Sequence, residues 1–358
     1  MTTRPTVDFG HPSWQLRLPW LSLRVNLRIA SVAIALICVS LIVSVVSLGI
    51  GDIRISAVDV AKSLTGTGSE FYSPIVTEWR LPIVLSGIVF GGLLGIGGAI
   101  FQSLTRNPLG SPDVIGFDAG SYTGVAVTVL VLGTASYWDI AIAALSGGLI
   151  TAFAVYVLAY RGGITGFRLI IVGIALSAML TAINGYLITR AKLEDAMVVG
   201  LWSAGSLSKV TWTSMAPSLV AAAVIVVAVG ALSPALRRLE LGDDTAITQG
   251  TRVGRTRLGL LVIGVATTAL VTAAAGPISF VALAAPQLAR RLTKSPGVSV
   301  AGSAAMGAAL LSTALLLSLV IGQLYRPIPV GLLTVCIGGT YLIWLLTREA
   351  RRQSGMLS

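Results

Sequence analysis

The sequence predicts an all-α, polytopic membrane protein of about ten helices, and three observations lead there. Of 358 residues, 55% are hydrophobic and only 11% are charged, with a mean hydropathy of +0.89. That is far from a soluble domain. The apolar residues gather into several runs of about 20, the length an α-helix needs to cross the hydrocarbon core. The Lys and Arg lie mostly between those runs. A net charge of +11 in a soluble chain would suggest a nucleic-acid partner. Here the charges sit in loops, where topology and lipid headgroups account for them, and no nucleic acid is expected.

Residues 1–28 form a basic tail with Trp14 and Trp20, which suit the membrane interface. The run 29–50 is too long for a signal-peptide core and reads as a retained first helix. The second span is 82–104. It is followed by "RNPLGSPDVIGFDAG" (106–120), where Pro108, Gly110 and Pro112 end one helix and Asp113 can cap the next. Spans at 114–133, 138–160, 169–189 and 214–233 come next. The loop "LRRLELGDDTAITQGTRVGRTR" (236–257) is too long for a minimal connection and carries its own helical pattern. Leu239, Ala246 and Ile247 are apolar, Gly242 and Gly250 punctuate it, and Asp243 and Asp244 stand at a helix start. Alone, it reads equally as a surface helix that docks a partner or as a solvated loop. Spans at 258–275, 277–292, 299–321 and 328–347 complete the set, with 277–292 short and interrupted by Pro286. The organisation is then a tail (1–28), a transmembrane domain (29–347) and a second tail (348–358).

With the N-terminus inside, 18 of the 25 Lys and Arg fall on the inner side. Both termini are therefore expected in the cytoplasm. "RLPIVLSGIVFGGLLGIGG" from Arg80 echoes "RLGLLVIGVATTALVTAAAG" from Arg257, with Gly87 and Gly264 in register. The first copy enters from outside and the second from inside, as in the inverted repeats of transporters. Chance likeness between apolar helices competes with that reading.

Much chemistry is missing. His11, the only histidine, lies in the tail. No HExxH, no paired acid cluster within a span and no CxxC is present, and Cys38 and Cys336 sit in apolar runs. No metal site is expected. Without GxxxxGK[ST] the chain does not cradle ATP, and without a histidine in a span it is no Ser–His membrane protease. What the spans offer instead is small and polar residues at helical spacing. Gly116, Gly120 and Gly124 share a face, best read as close helix packing. Gly173, Ser177, Thr181 and Asn184 share another, which reads either as packing or as the polar lining of a path.

Four segments carry a family resemblance. "RNPLGSPDVIGF" resembles the RNPLxxPxxxG segment of the permease subunits of bacterial ferric-siderophore and cobalamin ABC importers, the BtuC/FecCD-like fold. "LELGDDTAITQG" (239–250) is similar to that family's LSLGxxxAxxLG. "AGPISFVALAAPQLARRL" (275–292) is similar to its GxIxFxGLxxPHxxR, and "PIPVGLLTVCIGGTYLIWLL" (327–346) to its LPxGxxTxxxGxPxFxxLL. The outer "RLP" at 80–82 resembles its RLPR. The wording is nearest to the ferric-enterobactin permease branch.

The resemblance implies ten helices with an inverted repeat and two permease subunits around a central path, with a heterodimer favoured. It implies two copies of an ATPase subunit inside, which bind the ATP and Mg that this chain does not. An extracytoplasmic siderophore-binding lipoprotein would stand outside, and a ferric siderophore would be the cargo, with cobalamin or haem as alternatives. The location would be the cytoplasmic (inner) membrane. Leu239, Glu240, Leu241, Gly242, Asp243, Asp244, Ala246 and Gly250 would receive the ATPase stroke. Thr165, Gly166 and Phe167 match a cytoplasmic gate, and the fifth and tenth helices would line the path. Arg80 and Arg326 would meet acidic groups of the binding protein. Arg106, Asn107, Pro108, Pro286 and Gln287 would be structural, with Arg106 and Asn107 bonding helix-end carbonyls. Departures are Gln287 for the usual His, GGTY for GxPxF, Ile83 for the second Arg of RLPR, Gln249 for Leu and an apolar stretch around Leu319 for an Asp. A membrane sensor or scaffold, the competing class, would need no coupling segment.

Overall fold

The computed structural model describes residues 13–354, apart from 19–20, 114, 135 and 161–165. Asn26 starts helix α1 (Leu27–Gly49) by accepting from the Arg28 and Ile29 amides, which would otherwise lack partners. At the end of α1, α2 (Ala57–Leu64) is capped by Ser56, and α3 (Tyr72–Pro74) follows. A π-helical turn (Ile75–Arg80) leads into α4 (Leu81–Thr105). Then come α5 (Phe117–Leu130), α6 (Tyr137–Ala159), α7 (Gly166–Arg190) and α8 (Leu193–Ser203). α9 (Trp212–Glu240), α10 (Asp243–Thr248) and α11 (Val253–Ala275) follow, then α12 (Val281–Thr293), α13 (Val300–Leu324) and α14 (Val330–Ser354).

Ten of these helices occupy the ten expected spans. Seven are long and apolar enough to cross a membrane alone. The exceptions have a physical cause. α5 has 14 residues and α12 has 13, about 20 Å of helix against about 30 Å of hydrocarbon. α14 turns charged after Leu346, with Arg348, Glu349, Arg351 and Arg352. The helices between spans, α2, α8 and α10, carry the polar ends.

One element was not expected. Before α1, strands β1 (Ser13–Leu18) and β2 (Leu21–Asn26) pair antiparallel. The register sets Trp14 opposite Val25, Leu16 opposite Leu23 and Leu18 opposite Leu21. The signal was present: apolar and polar residues alternate along both segments, the period of a strand. Reading the region only as a basic tail passed over it.

Packing bears the mark of the repeat. α4, the most buried long span, lies on α13, while α11 lies on α6; α5 packs on α6 as α12 packs on α13. In both halves a long helix breaks and a half-length helix begins from an N-cap residue with positive φ, Gly116 (+94°) and Phe280 (+69°). Gly91 and Gly95 of α4 face the backbone of Gly307 and Ser303 on α13 so closely that a Cβ on either would overlap it. Small residues let backbones approach where lipid offers no hydrophobic drive. Across the halves, Thr272 of α11 donates to Asp118 of α5 at 3.3 Å.

Candidate functional site

The polar contacts concentrate where α4 ends and α11 begins. The α9–α10 turn is made by Gly242 at φ +115°, beyond the reach of ordinary L residues. It delivers Asp243 to the first turn of α10, where a carboxylate suits the helix dipole. Three hydrogen bonds then converge on that carboxylate. Arg106 Nη2 donates to Oδ1 at 2.6 Å, and Arg257 Nη2 donates to Oδ1 at 2.9 Å and to Oδ2 at 3.0 Å. The same Arg106 nitrogen reaches the Leu239 carbonyl, in the last turn of α9, at 3.0 Å. Arg106 can do this because it is itself the left-handed C-cap of α4, at φ +51°. Next to it Ser103 Oγ donates to Glu240 Oε1 at 2.6 Å. Leu239 and Ala246 are buried, while Leu241 and Ile247 are 65% and 59% exposed. So α10 is clamped from within by both repeats and presents apolar side chains outward.

A second set of bonds joins the 106–113 loop to α12. Gln287 Nε2 donates to the Pro108 carbonyl at 2.6 Å. Gln102 Nε2, buried, donates to Leu283 O at 2.9 Å. The Phe280 amide donates to Asp113 Oδ2 at 3.0 Å. Asp113 thus caps α12 and not α5, the expected neighbour. The loop folds back against α12, whose first amide lacks an intrahelical acceptor. Asn107 Oδ1 accepts from Leu109 N at 2.9 Å, an Asx turn, while its own amide donates to the Gln102 carbonyl in the last turn of α4 at 3.3 Å. Pro286 lies inside α12.

The proposed path residues divide. Ser177 and Thr181 lie on an open face of α7 with Ile174, Ala178 and Ala182. Gly173 and Asn184 are buried against the start of α5. A Cβ on Gly173 would lie 2.6 Å from Ile115 O, and Asn184 Nδ2 donates to Ala119 O at 3.4 Å. Their place is packing, since an amide in the bilayer needs an acceptor. Of the gate residues, Thr165 lies outside the described residues, Gly166 packs on the backbone of Thr105, and Phe167 is 76% exposed.

At the opposite end Arg80 Nη1 donates to Leu48 O at 2.8 Å and Nη2 to Ile53 O at 2.6 Å. Its guanidinium therefore orders the loop after α1, with Gly51 beneath it. That engagement was invisible in the sequence, because its partners lie 32 and 27 residues earlier in the chain. Arg326 is exposed beside Tyr325. Sequence reasoning also passed over Arg257, visible only as the first residue of the repeat echo, and Gln102 and Ser103, which look like ordinary polar residues in a span. Among the described residues no group of three His, Cys, Asp or Glu could hold a metal.

The profile of the FecCD transport family matches residues 36–348. The chain belongs to that family. It is 44% identical over 323 residues to the ferric enterobactin transport system permease protein FepG of Escherichia coli, covering 88% of this chain and 97% of FepG. It is 33% identical to the permease protein FepD of the same named system, over 88% of this chain and 95% of FepD. A solved metal-chelate type ABC transporter in an inward-facing conformation superposes with a TM-score of 0.76 at 22% identity, covering 89% of this chain and 99% of the other. The fold is therefore that of a multi-pass transport permease. The clamped α10 and the α4–α5 loop fall inside the matched region.

Proposed function

We propose that this chain is the membrane-spanning half of an ATP-driven importer for ferric siderophores, in the cytoplasmic membrane with both termini inside. The observation that carries the reading is the likeness to FepG across nearly the whole of both chains. Two permeases of one named system match at 44% and 33%, which favours a heterodimer with a FepD-like partner. The chain does no covalent chemistry. ATPase subunits would dock on α10, and the exposed Leu241 and Ile247 are the side chains that suit such a partner. A stroke there would move α4 through Arg106 and α11 through Arg257, and so both repeats together. An extracytoplasmic binding protein would deliver the chelate, and the open face of α7 at Ser177 and Thr181 would pass it through weak contacts.

Uptake of iron-labelled ferric enterobactin tests the reading. A strain lacking this chain is expected to lose that uptake and keep cobalamin uptake. Unchanged ferric-enterobactin uptake with lost cobalamin uptake would overturn the cargo.

A further inference from the structure

Gln287 has two bonded sides. Its side chain is buried in α12, with Nε2 donating to Pro108 O at 2.6 Å and Oε1 accepting from Tyr341 Oη of α14 at 3.5 Å. One helical turn on, Arg291 sets its guanidinium 5.6 Å from the Tyr341 ring centroid and 4.9 Å from that of Trp344. Pro108 lies two residues from Arg106, which holds Asp243 of α10. We propose that Gln287 is a positioning residue that transmits displacement of α10 to α14, through Asp243, Arg106, the Pro108 carbonyl and Tyr341. This deepens the proposed function and rests on it, because α14 matters on that reading as a path helix.

The links of this relay differ in length. The links from Asp243 to Arg106 and from Pro108 to Gln287 are both 2.6 Å, short and directional. The last link, at 3.5 Å, is longer than an ordinary O–H···O hydrogen bond and is a weak polar contact. Tyr341 can therefore leave and regain Gln287 at small cost. The Arg291 contact tolerates that movement, since attraction to a ring face is less directional than a hydrogen bond. A glutamine suits the post because its amide carries a donor and an acceptor in one rigid plane. A neutral imidazole also offers one donor and one acceptor, whereas leucine offers neither.

The test uses the whole complex in proteoliposomes: this chain, its partner permease, the ATPase subunits and the binding protein, with ferric enterobactin as probe. Gln287→Leu is expected to lower chelate imported per ATP hydrolysed by about 5- to 50-fold, and Tyr341→Phe, which cuts only the weaker link, by about 2- to 5-fold. ATP hydrolysis should stay within about twofold, and Gln287→His should restore import per ATP to within about threefold. The double variant should be no worse than Gln287→Leu, the mark of two residues on one link. Import and hydrolysis falling in parallel, unchanged import per ATP, or a His variant that behaves like Leu would each overturn the proposal. Should Gln287→Leu not assemble, Tyr341→Phe, which removes one oxygen, decides alone. A second readout needs no cargo. With Cys38 replaced by Ala, a fluorophore on Cys336 of α14 should respond to ATP in the parent and not in Tyr341→Phe. An equal response in both overturns the relay. A parent that responds to ATP but imports no ferric enterobactin overturns the cargo instead.

Discussion

Asp243 receives bonds from two arginines that differ in surroundings. The Arg106 and Asp243 side chains are 48% and 41% exposed, while Arg257 is only 14% exposed. Half-exposed ion pairs are screened and contribute about 1 kcal/mol or less to stability. Arg106→Ala should therefore leave thermal unfolding of the purified complex nearly unchanged. Transport should nevertheless fall, because the variant cuts the tie between α10 and the α4–α5 loop. A large loss of stability, or normal transport, would count against this account. The arginine's identity was legible in the RNPL motif, and so was the expectation that it bonds a helix-end carbonyl. Its bond to Asp243 was not, because 137 residues separate the partners and no local pattern relates them.

Among elements, α10 and the α4–α13 pair illustrate two different demands. α10 has six residues and cannot stand alone as a helix; its shape depends on Gly242 and on the clamp. Ile247, exposed on its outer side, should be replaceable without harm to the fold. Ile247→Glu is expected to weaken capture of the ATPase subunits by about tenfold or more, since it sets a charge in an apolar contact. Co-purification of the subunits measures this. α4 and α13 instead need absence of side chains. Gly91→Ala drives a methyl into the Gly307 backbone, whereas Gly230→Ala on α9 meets nothing within 4 Å. The first should destabilise by about 1–3 kcal/mol and the second should not, as thermal unfolding in detergent would show. The helical elements were legible from apolar run length, and the repeat from Arg80 and Arg257. The shortness of α12 was legible in Pro286 and the brief run 277–292; that of α5 was not, because its apolar character continues through Val131 and Leu132 beyond its last turn.

At the scale of the whole molecule, basic residues on one side predict orientation. With Cys38 and Cys336 replaced, a single cysteine at Thr248 should react with a membrane-impermeant maleimide only from the cytoplasmic side. One at Arg326 should react only from outside. The reverse pattern would invert the topology. Sequence alone determined the class of protein, its apolar helices and the family motifs, since these follow from run length, charge placement and local residue order. Only the tertiary structure decided which of the marked residues meet. It gave Asp113 to α12 and Arg80 to the loop after α1. It turned Gly173 and Asn184 inward while leaving Ser177 and Thr181 on an open face of α7. One physical reason places the polar residues among these. A polar group inside a membrane domain must find a partner, and which partner stands within reach depends on how distant helices pack.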